Sequence, residues 1–327
     1  MFPYYEGIDT HLKDEFYCFT CHEKPADLIR CSRCKVAWYC TFSCKRAHAE
    51  EHQELCDEVS RHMHVLDEAV IQLQQDTMDP ATQSRAARAF ADMADSYWTA
   101  AYVSDFEPNW ILALMYYVQC IAIKFRNSEM FRIPFAFLYM NRDDEAFSYI
   151  RDRVNDRVQP WDYTEYPTEH NCRFDDILEE SPGLRELPLR VPFLMAVLII
   201  KLRIIASHDA IAQVVDFAFQ NTELKRILAV RSKVQEMLTG SQTQRMQVEQ
   251  LLQAFDAVDL SVMRPVLLDF ERVSGMLNDK KLGTLLLMMG PVHDNLPVFV
   301  ALLNGLRLFH RIPGVIDMFV ELAPANE

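Results

Sequence analysis

Eight soft-metal ligands fall within 39 residues of this chain. Cys18-x2-Cys21 is followed by Cys31-x2-Cys34, Cys40-x3-Cys44 and His52-x3-Cys56. Zinc takes thiolate and imidazole ligands, and a structural site closes with four of them. Four pairs therefore predict two closed sites and two zinc ions per chain, using seven of the nine cysteines. The competing reading is a disulfide framework, which belongs to oxidising compartments and small secreted domains. The chain begins Met1-Phe2-Pro3-Tyr4, without the basic and apolar segments of a signal peptide. The expectation is a reducing compartment, cytoplasm and/or nucleus, with metal-held thiolates. So short a segment has too little core to fold alone. The zinc-binding free energy, about 10–16 kcal/mol in finger peptides, would serve as folding energy. Spacing alone leaves sequential and interleaved pairing of the four motifs both open.

The segment should continue into a helix. Ligands four residues apart lie one turn apart on one helix face. No Gly or Pro occurs between Cys34 and Asp79, and Val59, Met63, Leu66, Val70 and Leu73 recur at a helical period. The last ligands then sit at the head of a long helix ending before Pro80, which attaches the zinc segment rigidly to the helical body. Beyond it the composition is that of helices: eight Gly in 327 residues, half of them hydrophobic. Helices are expected over about 81–103, from Pro108 onward, around Pro134, and over 143–158. They resume over about 191–206, 208–220, 223–238, 243–258, 262–277, 279–289, 294–311 and 314–322. The fold class is mainly α, with an armadillo- or HEAT-like stack or an irregular bundle as its two forms.

Residues 159–192 break this pattern. Five of the fifteen prolines lie there, and from Asp143 to Glu186 there are 13 Asp/Glu against 5 Arg, a net −8 out of −14 for the chain. The chain thus divides into a lead-in (1–17), the zinc segment (18–56), a helical subdomain (57–158), an acidic proline-rich crossover (159–192) and a second helical subdomain (193–327). The negative charge argues against nucleic acid as a partner, since that binding depends on Lys and Arg neutralising phosphates. The most apolar stretch, Phe193 to Ala206, contains Lys201 and Arg203 and reads as a buried helix, so no membrane span is expected.

Other candidates read as structural. His48 competes with His52 as a ligand, while His22, His62 and His64 read as surface residues. Cys120 sits on an apolar helix and reads as core. Cys172 is a thiol with no activating motif around it. Twelve of the 36 aromatics lie between Tyr97 and Tyr139 with few interleaved cations, which suits a core better than a base-stacking platform. The Leu285–Met289 run reads as core. The chain has no G-x-G-x-x-G and no G-x-x-x-x-G-K-[ST].

The order, the spacing, the aromatic pair Trp38-Tyr39 before the third motif and the closing His52-x3-Cys56 resemble the MYND-type zinc finger over residues 18–56. The resemblance implies interleaved sites: Cys18, Cys21, Cys40 and Cys44 on one zinc, Cys31, Cys34, His52 and Cys56 on the other. It also implies a protein-interaction module, often one that reads proline-containing peptides and recruits regulators in transcription. The family's peptide groove uses a Gln just after the sixth Cys and a Trp four residues later. Here those positions are Lys45 and Ala49, which argues against a proline-rich peptide. Some such fingers accompany lysine methyltransferases or prolyl hydroxylases. No Asn-His-x-x-x-x-Asn and no His-x-Asp pair is present, so the expectation is a non-enzymatic adaptor with no catalytic residues. A relative of the MYND-containing methyltransferases with an unrecognised active site is the alternative.

Overall fold

Helix succeeds helix in the computed structural model, which describes residues 12–124, 127–155, 166, 172, 175–176, 191–220, 231–256, 267–268 and 292–322. Residues 1–11, most of the 159–192 crossover, the start of the helix read over 223–238, and all but 267–268 of the helices read over 262–289 (including the Leu285–Met289 run) lie outside the described residues. Among the described residues the strands are two short pieces, β1 (Ile29–Arg30) and β2 (Trp38–Tyr39). They pair antiparallel with Ile29 opposite Tyr39, inside the Cys/His segment.

α1 (Phe42–Ala47) and α2 (Ala49–Gln75) come next, parted only at His48. α2 runs unbroken from before His52 through Cys56 to Gln75, as the lack of Gly and Pro predicts, with Val59 and Leu66 buried. Asp79 then starts the next helix. Its carboxylate accepts hydrogen bonds from the backbone N–H groups of Ala81 (3.2 Å) and Thr82 (2.9 Å), and Pro80 occupies the first turn. The resulting α3 (Pro80–Ser104) buries Ala86, Ala87, Ala94, Ala100 and Ala101. Such small side chains let α2 and α4 (Glu107–Ile123) pack against it. Asp105, at φ 51°, ends α3, and Pro108 lies in the first turn of α4. α5 (Asn127–Met130) and α6 (Ile133–Tyr139) are short, with Pro134 at the start of α6.

The aromatic-rich stretch forms the core of this part. Trp110 stacks on Tyr139 with ring centroids 4.2 Å apart, and Trp98 meets Trp110 edge-on at 4.9 Å. The buried Tyr117 donates its hydroxyl proton to Asp95 (2.6 Å) and accepts from Arg132 Nη1 (2.7 Å). Cys120 packs with Ala87 and Ala91, as a core thiol should.

Contacts divide the chain into two units, Thr10–Met140 with Trp161–Glu165, and Met1–Asp9 with Asn141–Pro160 and Tyr166–Glu327. The division falls between Met140 and Asn141. α7 (Asp143–Val154), which the sequence pattern places within residues 57–158, therefore groups with the later helices.

The second unit also holds α8 (Val191–Gln220), α9 (Arg231–Asp256), α10 (Val292–His310) and α11 (Val315–Leu322). α8 is one helix where the periodicity suggests two. Ser207-His208 contains neither Pro nor Gly, so nothing stops the hydrogen-bond ladder there. α9 likewise continues through Gly240, an interior glycine that costs only about 1 kcal/mol relative to Ala.

Val191–Gln213 is long and apolar enough to cross a membrane by length and composition, but 89% of that window is buried within the protein. It packs against α7, α9 and α10. The two charges inside it are also buried, Lys201 at 1% and Arg203 at 3% exposure. Lys201 Nζ donates to the backbone carbonyls of Cys172 (2.6 Å) and Asp175 (2.9 Å), and Arg203 Nη1 donates to Asp143 (2.7 Å). The cations that interrupt the apolar run therefore tie Asp143, Cys172 and Asp175 to the helix. Lys201→Ala removes the donor from two carbonyls and should cost about 2 kcal/mol in urea denaturation. An unchanged midpoint would contradict this role.

Candidate metal centre

The first two cysteine pairs sit on matching turns. The N–H of His22 donates to the Cys18 carbonyl (2.8 Å) and the N–H of Lys35 to the Cys31 carbonyl (3.1 Å). Each turn places the residue after its second cysteine in the left-handed region, His22 at φ 61° and Lys35 at φ 59°. This geometry aims both sulfurs of a pair to one side. The third pair straddles the start of α1. Thr41 caps that helix by accepting from the N–H of Cys44, and the Thr20 hydroxyl donates to the Cys44 carbonyl (2.8 Å). The fourth pair lies one turn apart on α2.

The structure gathers these eight residues into two clusters: Cys18, Cys21, Cys40 and Cys44, and separately Cys31, Cys34, His52 and Cys56. In each, the ligand atoms all lie within 4.8 Å of one another. The motifs interleave, one with three and two with four, in place of sequential pairing. All nine cysteines are free thiols. The sulfurs of Cys21 and Cys40 are 3.6 Å apart, those of Cys40 and Cys44 3.4 Å, and those of Cys31 and Cys56 3.8 Å. Cys34 Sγ lies 3.2 Å from His52 Nε2. A tetrahedron of sulfurs about 2.3 Å from zinc has edges of roughly 3.8 Å, so the donor set fits that ion in type, number and spacing. The second cluster is buried throughout, and the first has an exposed side at Cys21.

The electrostatics agree. Burial and the charges of Cys31 and Cys56 push the Cys34 thiol up to about 12. Hydrogen bonds to Cys44 and Cys21 push Cys40 up to about 12. Burial opposes ionisation of Cys18, yet backbone N–H groups of Cys21, Cys40 and Thr20 bring it down to about 6. One thiolate in a cluster thus holds its neighbours protonated, and a divalent cation removes that repulsion. Burial, with His48 and Lys45 nearby, lowers His52 from 6.5 to about 4 and keeps its imidazole neutral, the ligating form. The folded chain then holds fewer protons than the unfolded one between those values, so His52 disfavours folding increasingly as pH falls from 6.5 towards about 4.

His48 has another task. Its Nδ1 is 3.1 Å from the Tyr39 hydroxyl, and its ring stacks on that of His52 at 5.5 Å. It positions the ligand rather than replacing it.

The zinc segment is also fixed to the helices of its own unit, through the aromatic lead-in before Cys18. Lys13 forms a bridge with Phe106: its N–H donates to the Asp105 carbonyl (2.7 Å), and its carbonyl accepts from Glu107 (2.9 Å). The buried Phe106 ring receives Phe16, Tyr17 and Phe19 edge-on at 5.3, 5.6 and 5.9 Å. Tyr17 Oη donates to the Ser104 carbonyl (3.1 Å). The local signal for this was the aromatic triplet Phe16, Tyr17, Phe19, more apolar surface than so small a segment can bury by itself.

An open groove of about 680 Å³ runs over the second cluster, with Cys31, His52 and Cys56 in its wall. Lys45 and Ala49 line it, together with Arg33, Phe42, Arg46 and Gln53. Cys172 lies elsewhere, buried, its thiol pushed far up by burial and by Asp144 and Asp143. That environment suits an inert thiol rather than a nucleophile.

The family model of the MYND finger matches residues 18–56. Neither the curated proteins nor the solved structures gave a match to this chain. MYND fingers are protein-interaction domains. Residues 18–56 of this chain are therefore a MYND finger built to hold two zinc ions, with Cys18, Cys21, Cys40 and Cys44 at one and Cys31, Cys34, His52 and Cys56 at the other.

Proposed function

We propose that the chain is a non-enzymatic adaptor, regulatory and transcription-linked, acting in the cytoplasm or nucleus. Its finger presents a protein-binding groove from a fixed position. One observation carries the reading: the finger is locked to α3 and α4 through Phe106 on one side, while among the described residues the groove over its second zinc cluster is open. Zinc would act as a structural brace, since all eight ligands close two sites and leave no position for water or substrate. The buried Cys172 supports the non-enzymatic part. Negative charge over the chain supports protein rather than nucleic acid as the partner.

The test is affinity capture with the full chain against its Cys31→Ser form. Partners that require the intact finger should be lost with Cys31, whereas an unchanged partner set would overturn the reading. Binding of S-adenosylmethionine to the purified chain by calorimetry would instead favour the methyltransferase-related alternative.

The groove also explains the expected loss of proline-peptide reading. Lys45 and Ala49 face it where the family places Gln and Trp, and an indole is a large rigid anchor of the kind that dominates interface energetics. Lys45→Gln combined with Ala49→Trp should create measurable proline-peptide affinity in fluorescence anisotropy. Continued absence of binding would show that other lining residues set the preference.

A further inference from the structure

The groove is basic on an acidic chain. Its lining carries three cations, Arg33, Lys45 and Arg46, and no carboxylate. The finger as a whole has six Lys/Arg against five Asp/Glu over residues 18–56, in a chain of net charge −14. Among the described residues the side chains of Lys45 and Arg46 form no ion pair. Arg33 pairs with Asp57 at 2.5 Å, but both side chains are about half exposed or more, at 60% and 48%. Such a pair is weak and leaves guanidinium donors for a second carboxylate. Apolar surface lies among the cations: Phe42, 68% exposed, and the exposed Ala49. Three thiolates and one zinc ion in the cluster beneath would leave one negative charge, and Asp57 adds a second, so the three side-chain cations still outweigh them by one.

We infer that this groove takes an extended acidic segment of a partner protein. Asp or Glu side chains meet Arg33, Lys45 and Arg46, and an apolar side chain of the segment packs on Phe42 and Ala49. The inference rests on the adaptor reading and adds the chemistry of the partner. Cations around an exposed aromatic ring give both parts of such recognition: charge sets specificity and on-rate, and the ring supplies buried area.

The experiment is fluorescence anisotropy with the full, zinc-loaded chain and three labelled decapeptides. The first has Asp and Glu flanking a central Leu-Phe, the second replaces them with Asn and Gln, and the third is proline-rich. The acidic peptide should bind about tenfold or more tightly than its amide counterpart, and more weakly as salt is raised. Lys45→Glu with Arg46→Glu should abolish that preference while the protein keeps two zinc ions per chain, which shows that the finger remains folded. Equal binding of the amide or proline-rich peptide, no binding of the acidic one, or an unaffected double variant would overturn the inference. Self-association that the double variant removes would assign the groove to a second copy and overturn it too. If partners lost with Cys31→Ser survive the charge reversal, the acidic-segment inference fails and the adaptor reading stands.

Discussion

Cys31→Ser should release one zinc of the two and leave the other in place. Cys31 shares its cluster with Cys34, His52 and Cys56, so those residues lose their ion while Cys18, Cys21, Cys40 and Cys44 keep theirs. The cost is a large part of the binding free energy of a structural zinc, about 10–16 kcal/mol in finger peptides at neutral pH. It falls on a segment whose tertiary structure depends on that ion. Cys34 and His52 would be left 3.2 Å apart as two buried polar groups, and the first turns of α2 should loosen because two of the lost ligands hold them. Alkylation of the full chain with subsequent mass mapping reads this directly. Cys34 and Cys56 should become reactive, and the four cysteines of the first cluster should stay protected. Protection of Cys40 and Cys44 with exposure of Cys18 and Cys21 would contradict the interleaved arrangement.

Phe106→Ala should undock the finger without emptying it. The ring is fully buried and takes three aromatic side chains of the lead-in and finger edge-on. Deleting a buried phenyl ring costs about 3–5 kcal/mol through lost transfer energy and the cavity left behind. No metal ligand is touched, so zinc content should remain at two per chain. Hydrogen exchange should rise at Lys13 and Glu107, whose N–H groups make the bridge beside Phe106. Exchange within β1 and β2 should change less. If exchange at Lys13 and Glu107 is unchanged, Phe106 is not what fixes the finger, and its fixed placement would rest on α2 alone.

Cys31 and Phe106 separate what was legible in the sequence from what was not. The eight ligands were legible because thiolate and imidazole side chains at fixed short spacings report chemistry that is local in the chain. Their grouping was not: spacing leaves two pairings open, and it took a resemblance, then the geometry, to set Cys18 and Cys21 with Cys40 and Cys44. The continuity of α2 was legible from the run without Gly or Pro. Ser207-His208 lacks both residues too, and that absence outweighs the lapse in periodicity that suggested a break in α8. Phe106 was hidden because one aromatic among twelve in its stretch carries no mark of facing the finger rather than the core. The basic groove was hidden by averaging. Arg33 lies inside one zinc turn and Lys45-Arg46 come straight after the sixth cysteine, and only folding brings them to one surface. Lys201 and Arg203 look like flaws in an apolar helix until the carbonyls of Cys172 and Asp175 and the carboxylate of Asp143 appear beside them.

The central claim is two closed zinc sites per chain, every ligand supplied by Cys or His. Zinc-edge X-ray absorption on a quantified sample of the full chain tests it most directly. The two clusters predict two zinc ions per chain, with seven sulfur ligands and one nitrogen ligand shared between them. One zinc per chain, or a coordination shell containing oxygen, would contradict it.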